Sequence, residues 1–487
     1  MKKNILFIDP PGAYSKIVNT GLGYIASALR KDPGVNFKVL DLNSFGNDWN
    51  DILKNIFQNQ KIDGIGVSIN VGSMHAIPAL LIKLKRYFPD AKIFIGGSHV
   101  YLDYKYLLEK FAEFVDFAVL GETENNISQI IANLGNRNGL SPLGAVVLKE
   151  DINKQVFPDR IEDINGIDFP DYGCFESVRR NNTTMDYYPI LTSRGCPYSC
   201  IFCAGPKISG KKWRFRSPEN VVEEIELAFK KYKTKNLEIF DDNFLLDKAR
   251  AMSIMELILK RDIKMRLRFG NGVRADKLDD EIVGIMKRVG LYEVGIGIES
   301  ADPEIFRSIK KGEDFEKIKQ AISLLKKYDI NLGGSFIIGL PNATLKKDIK
   351  SIKFVNRIGL NWKYVAWCYF TPYHYTEAYE MIKNEISADT IEKSYKRGHF
   401  TANYIQTKNY SLEERIIVRS VASRIPPMHA DYSKIKLLKL FIKMEYVVFR
   451  NRDADLSFLK FNIEMLNKLF ICFKRMLNNE VPKNAYF

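Results

Sequence analysis

Short runs rich in β-branched and aromatic residues alternate with stretches of helical period along most of this 487-residue chain. That alternation restricts the fold to parallel sheets wrapped by helices. A first block places strands at 4–9, 37–42, 64–69, 92–96 and 117–121, with helical spacing over 23–29, 49–57, 74–87 and 104–111. A short hairpin is predicted over 144–156, and Phe169-Pro170-Asp171-Tyr172 punctuates a linker. From Tyr188 the alternation resumes at barrel-like intervals, with strands at 190–193, 236–240, 266–270, 293–298, 334–339 and 364–370. Beyond Tyr379 it dissolves into helices at 411–423, 432–449 and 456–477. The expected division is an α/β domain over 1–140, a linker with a hairpin over 141–187, a barrel over 188–380 and a helical domain over 381–487.

Five strands joined by four crossovers suit a flavodoxin-like (Rossmann-type) order, in which ligands lie outside the carboxyl ends of the strands. Those ends are rich in small residues: Pro10-Pro11-Gly12, Ser68 with Asn70, Gly96-Gly97-Ser98-His99 and Gly121-Glu122-Thr123-Glu124. Glycine at such a place lets a large ligand approach the backbone.

The segment Arg194-Gly195-Cys196-Pro197-Tyr198-Ser199-Cys200-Ile201-Phe202-Cys203 brings three thiols into eight residues. Its spacing supplies three thiolates and no nearby fourth, so a bound iron-sulfur cube would keep one iron open for something other than protein. A zinc knot would need four ligands in paired units. No second pair follows, and Cys174, Cys368 and Cys472 are scattered singly.

The formal net charge of +15 raises the question of nucleic acid or anionic membranes. Lysine is spread along the whole chain, however, and no nucleic-acid module is recognisable, so no nucleic-acid partner is expected. Residues 432–487 are denser, with eleven Lys and Arg against five Asp and Glu beside Leu and Phe at helical spacing. Such helices suit a cap on the barrel better than peripheral contact with anionic lipid. The opening apolar run stops at Asp9, too short for a signal peptide, and no segment approaches a membrane span. Six cysteines in so long a chain form no disulfide framework, and a reducing, cytoplasmic setting is expected.

Cys196, Cys200 and Cys203, with Phe202 before the last thiol and Ser193-Arg194-Gly195-Cys196-Pro197 leading in, resemble the cluster loop of the radical S-adenosylmethionine (radical SAM) enzymes. The resemblance implies a [4Fe-4S] cluster whose open iron holds the methionyl amine and carboxylate of SAM, and a 5′-deoxyadenosyl radical released on reduction. It also implies a partial (β/α)6 TIM-like barrel whose working residues gather at the carboxyl ends of the strands. In that frame Asp241 and Asp242 meet the methionyl ammonium, Glu299 makes a ribose or methionyl contact, and Ser335, Ile338 and Gly339 line the adenine. Arg274 or Arg216 would take the methionyl carboxylate. A strand-end carboxylate can also cap the next helix, and Asp242 or Ser300 suffices for that.

The turns at Gly96, Gly97, Ser98 and His99 and at Gly121 and Glu122, with Ser68, resemble those of the cobalamin-binding domain that precedes the barrel in the class B methyltransferase-like subfamily. Those residues are therefore expected against cobalamin. The Asp-x-His-x-x-Gly loop that donates a histidine to cobalt in many other cobalamin proteins is absent. The resemblance thus implies cobalamin held without a histidine on cobalt. Two departures stand out: Asn342-Ala343-Thr344 replaces a common Gly-Glu-Thr, and Pro372-Tyr373-His374-Tyr375-Thr376 replaces a Pro-Tyr-Pro-Gly-Thr turn. They place Cys368, Tyr369 and His374 near the substrate mouth, with His374 as a candidate general base.

The function implied is C-methylation of an unactivated carbon in a small-molecule, lipid or peptide substrate, with flavodoxin or ferredoxin as electron donor. The alternative is a non-methylating cyclase, ring-rearranging or carbon-carbon coupling enzyme of lipid, tetrapyrrole or natural-product synthesis. A non-catalytic iron-sulfur or corrinoid carrier is a further class. Methylthiolation of tRNA is disfavoured, because no separate N-terminal three-cysteine site is present.

Overall fold

The computed structural model describes residues 2–12, 18–45, 52–53, 60–143, 145–153, 156, 160–387, 390, 393, 405–423, 439 and 442–444. Its strands are β1 (Lys3–Asp9), β2 (Val35–Asp41), β3 (Gly64–Ser68), β4 (Lys92–Gly96), β5 (Phe117–Val119), β6 (Val146–Leu148) and β7 (Tyr188–Ile190). They continue as β8 (Ser193–Arg194), β9 (Arg214–Phe215), β10 (Asn236–Ile239), β11 (Arg266–Val273), β12 (Leu291–Glu299), β13 (Asn331–Ile338) and β14 (Val365–Tyr369). The chain divides into two compact units. The first holds Met1–Tyr198, Ala204–Val294 and Lys327–Ile330; the second holds Ser199–Cys203, Gly295–Lys326 and the residues from Asn331 onward.

In the first unit a six-stranded sheet runs β2-β1-β3-β4-β5-β6. This is the flavodoxin-like order expected, with β1 to β5 parallel. Ile5, Leu6 and Ile8 on β1 are all fully buried, as in a parallel strand covered on both faces. Helices Thr20–Arg30, Ile77–Tyr87 and Ser98–Lys110 supply the cover. The Asn19 side chain caps the first of them by accepting from the N–H of Leu22. The helix expected over 49–57 lies outside the described residues, apart from Ile52 and Leu53.

Among the described residues of 144–156, where a hairpin is expected, there is one strand. Val146–Leu148 is a single strand that joins the sheet antiparallel to β5, pairing Phe117 with Leu148, and a 3-10 turn at Lys149–Asp151 follows it. The supposed linker is likewise packed protein. Tyr172 is fully buried, its hydroxyl donating to the Pro189 carbonyl at 3.1 Å and its N–H to Tyr232 Oη at 3.0 Å. A Cβ at Gly23 would collide with its ring. Asp171 beside it pairs with Arg30 at 2.8 Å and Lys231 at 3.0 Å. Pro170 is itself buried, so this stretch is packed against its neighbours.

In the first unit β10 pairs parallel with β7 and with β11, and helices Pro218–Tyr232, Lys248–Lys260 and Asp280–Val289 accompany them. In the second unit β13 pairs parallel with β14 from Gly334–Val365 to Ile338–Tyr369. Helix Leu412–Ser423 opens on a capping box: the Ser411 hydroxyl accepts from the Glu414 N–H at 3.3 Å, and Glu414 accepts from the Ser411 N–H at 2.9 Å. The helices expected over 432–449 and 456–477 lie outside the described residues, save residues 439 and 442–444. Among the described residues no helix is long and apolar enough to cross a membrane.

Candidate functional site

Two residues past the end of β7, Thr192 lies just before β8, which leads into the thiol loop, and Asp241 braces it. The carboxylate accepts the Thr192 N–H at 2.6 Å, the Thr192 hydroxyl at 2.5 Å and the Ser193 hydroxyl at 2.6 Å. It is 2% exposed, and burial raises its pKa against the pull of those donors. Asp241 thus holds the lead-in to Cys196 rather than offering its oxygens to a ligand ammonium. Asp242 is the more open of the pair, with one oxygen accepting the Gly195 N–H at 3.3 Å. Gly195 has φ +94°, and a Cβ there would collide with the Lys212 carbonyl. The Cys196 N–H is tied to the Gly210 carbonyl at 3.0 Å.

The expected arginines are occupied by protein. Arg274 forks onto Asp276 at 3.0 and 3.1 Å and lies 3.6 Å over the Tyr198 ring. Arg216 is paired with Glu224 and donates to the Leu191 carbonyl at 3.0 Å.

In the second unit the thiol loop is clamped at Ile201, whose N–H donates to the Ile309 carbonyl at 3.1 Å and whose carbonyl accepts the Ala378 N–H at 3.0 Å. The Cys203 N–H donates to the Cys200 carbonyl at 3.1 Å. Glu299 ends β12 at φ +64°, a left-handed conformation that a non-glycine residue adopts at a cost. Its carboxylate lies over Gly297, where a Cβ would collide with Glu299 and stand 2.8 Å from Lys311 Nζ. Lys311, only 7% exposed, is 3.3 Å from Glu299 and 3.0 Å from Glu313. Burial pulls this ammonium down, but the two carboxylates outweigh it and leave the pKa above its ordinary value. Lys311 went unmarked in the sequence, because Lys310-Lys311-Gly312 reads there as a solvated turn.

Ser335 sits on the half-exposed face of β13 and Ile338 on its buried face. Gly339, at φ +81°, donates its N–H to Asp348 at 2.9 Å, and its carbonyl accepts from Arg415 Nη1 at 3.2 Å. Arg415 is fully buried on helix Leu412–Ser423 and was also unmarked, since one arginine in an amphipathic helix looks like surface. His374 packs edge-on to Tyr379 with ring centroids 4.7 Å apart.

Cys196, Cys200 and Cys203 are not joined in disulfides. Among the described residues no three His, Cys, Asp or Glu side chains gather as ligands of a single ion. Thiolates of an iron-sulfur cube each bind a different iron, so the donor set suits a cluster better than one ion.

A cavity of about 390 Å³ lies wholly within the first unit. Ser68, Gly96, Gly97, Ser98, Gly121 and Glu122 line it from the ends of the first sheet; Leu191, Ser193, Arg194, Phe240 and Asp242 line it from the strand ends beside the thiol loop. At Gly97, φ +101°, a Cβ would stand 2.7 Å from the Ile69 carbonyl, so only glycine fits. His99 does not line the cavity. It is 1% exposed, with Nε2 3.4 Å from Asp103 one helical turn on, because that face of helix Ser98–Lys110 turns into the core. Glu122 borders the cavity with its oxygens engaged: Arg214 meets them at 2.7 Å each, and the Ile161 N–H at 2.9 Å. Burial raises its pKa, but Arg214 and Arg194 more than offset this and hold it below the usual range. Among the described residues that line it there is no histidine, cysteine or methionine. Glycine backbones, apolar walls and a few hydroxyls fit a broad macrocycle with no histidine on its metal.

The model of the Radical SAM superfamily matches residues 190–355, and that of the B12 binding domain matches residues 13–131. The uncharacterized methyltransferase PH0819 of Pyrococcus horikoshii is 28% identical over 418 residues, covering 82% of this chain and 89% of the relative. The anaerobic magnesium-protoporphyrin IX monomethyl ester cyclase of Rubrivivax gelatinosus is 23% identical over 383 residues, 76% of this chain and 67% of the relative. Among solved structures, the radical SAM methyltransferase TsrM of Kitasatospora setae, with cobalamin and a [4Fe-4S] cluster bound, aligns with TM-score 0.63 at 18% identity over 78% of this chain and 77% of its own. The chain carries a B12-binding domain ahead of a radical SAM domain, with a [4Fe-4S] cluster, SAM and cobalamin as its cofactors.

Proposed function

We propose that the chain is a cobalamin-dependent radical SAM methyltransferase that methylates an unactivated carbon. One observation carries the reading: the cavity with cobalamin-type turns is bounded on its far side by Ser193, Arg194 and Asp242, the residues that lead into and brace Cys196. When bound, the cluster and SAM supply a carbon-centred radical and cobalamin supplies the methyl group. The protein's own residues do the positioning. Cys196, Cys200 and Cys203 would hold the cluster; the Gly97 and Gly121 turns with Ser68 would hold the corrin, and the apolar walls would bury its faces. The names of PH0819 and TsrM, both methyltransferases, support the same outcome.

The substrate is a small molecule, lipid or peptide, and a flavodoxin or ferredoxin supplies electrons. The likeness to the cyclase of Rubrivivax gelatinosus favours one second reading, radical chemistry without methyl transfer. Anaerobic protein reconstituted with iron, sulfide and cobalamin, given methyl-deuterated SAM and a cell extract, separates the two. Deuterated product with both S-adenosylhomocysteine and 5′-deoxyadenosine is expected. Deoxyadenosine alone would sink the methyl-transfer step.

A further inference from the structure

The turn Gly121-Glu122-Thr123-Glu124 is joined to the β8-β9 hairpin by buried ion pairs. Arg214 meets both oxygens of Glu122 at 2.7 Å, and Arg194 lies 2.7 Å from Glu124 and 3.4 Å from Glu122. The four side chains are only 2–14% exposed. Arg194 and Arg214 are direct partners across the hairpin, where like charges repel. The two carboxylates convert that repulsion into a closed network. An exposed pair of this kind would fix little. A buried one fixes geometry, since moving any member strands a charge in protein.

Its location matters as much as its chemistry. Arg194 is followed directly by Gly195 and Cys196, and its guanidinium lies 5.0 Å over the ring of Tyr24, a wall of the cavity. Glu122 and Glu124 belong to a turn that also lines the cavity. Glu122 carries a further donor, the Ile161 N–H, from the segment between the two sheets. With its oxygens taken by protein, it has little to offer a cofactor.

We infer that Glu122 and Glu124 are positioning residues: with Arg194 and Arg214 they latch the cobalamin cavity to β8, the strand that leads into Cys196, and so fix the separation of the two cofactors. This rests on the cobalamin reading above. A loosened latch leaves both sites able to fill and loses their register, so radical formation proceeds with less of it captured as methyl transfer.

Pulsed electron paramagnetic resonance on the reconstituted holoprotein measures the separation between the reduced cluster and the cobalt(II) form of bound cobalamin. Glu124→Gln and Arg194→Lys are each expected to broaden a narrow wild-type distribution, with iron and cobalt contents unchanged and more deoxyadenosine formed per methyl transferred. An unaltered distribution in both variants overturns the latch. Cobalt content of the wild type tests the cobalamin reading separately. If it fails, thermal unfolding of Glu124→Gln, Arg194→Gln and the double variant still decides: non-additive losses support the latch, and additive losses reject it.

Discussion

Glu299 and Lys311 face one another across 3.3 Å at the carboxyl end of β12, and they can do so because residue 297 has no side chain. Lys311→Met strands Glu299 and Glu313 in a buried site. Breaking such a pair by removing one partner costs about 3–5 kcal/mol. Denaturant unfolding of the apoprotein is expected to show a loss of that size, with less iron taken up on reconstitution, since the Ile309 carbonyl two residues earlier holds the thiol loop. A change within error of wild type would show the pair to be incidental.

Gly97→Ala places a Cβ against the Ile69 carbonyl at φ +101°. A left-handed conformation costs an ordinary residue about 1–2 kcal/mol, so cobalamin affinity is expected to fall about tenfold or more. Absorbance titration with cobalamin measures it. SAM cleavage at the cluster should survive, and loss of both together would place Gly97 in general folding instead.

Asp241→Asn keeps one acceptor oxygen and turns the other into a donor, so the three donors on Thr192 and Ser193 can no longer all be satisfied. Leaving buried donors unsatisfied costs about 1–3 kcal/mol. Lower stability with reduced iron content is the expected result. Unchanged stability with weakened SAM binding would restore the ligand role that the sequence assigned to it.

Asp348 gives a dependence on pH with a definite sign. Burial pushes its carboxyl from 3.8 up to about 7, against the Gly339 N–H, Tyr410 and Arg415, which favour the charged form. The folded state thus prefers the protonated acid. Its contribution is complete below about pH 4 and is lost as the pH rises through about 7, by an amount on the order of 4 kcal/mol. Asp9 is also raised to about 7 by burial, so wild-type stability alone mixes the two. The difference between wild type and Asp348→Asn, from denaturant unfolding at several pH values, isolates Asp348. It is expected to decline between pH 4 and 7 and stay flat above, whereas a flat difference throughout would remove Asp348 as its source.

Much of the fold is legible in sequence because strand periodicity and the glycine turns are local signals. Each strand expected in the two alternating blocks has its counterpart, with shifts of a few residues at the ends. What misled was tertiary. Val146–Leu148 reads as half a hairpin until β5 offers it an edge, and Asp171-Tyr172 reads as a linker until Arg30, Lys231 and Tyr232 close round it. The site follows the same division. The thiol loop and the glycine turns carry their chemistry in their spacing. Asp241, Glu122 and His99 were placed against ligands by position in the chain, and the structure gives their polar atoms to Thr192, Arg214 and Asp103. Lys311 and Arg415 lack any local mark, since a buried cation is known only by the carboxylates and carbonyls that fold around it.

The most direct measurement is methyl transfer to cobalamin on this one chain. Anaerobic protein carrying the cluster and reduced cobalamin is given methyl-deuterated SAM without substrate, and the bound cobalamin is released and weighed by mass spectrometry. The expected result is a deuterated methyl on the cobalamin with matching S-adenosylhomocysteine, and deoxyadenosine formation that disappears in Cys196→Ala. Protein that cleaves SAM to deoxyadenosine yet neither retains cobalamin nor forms S-adenosylhomocysteine would contradict it.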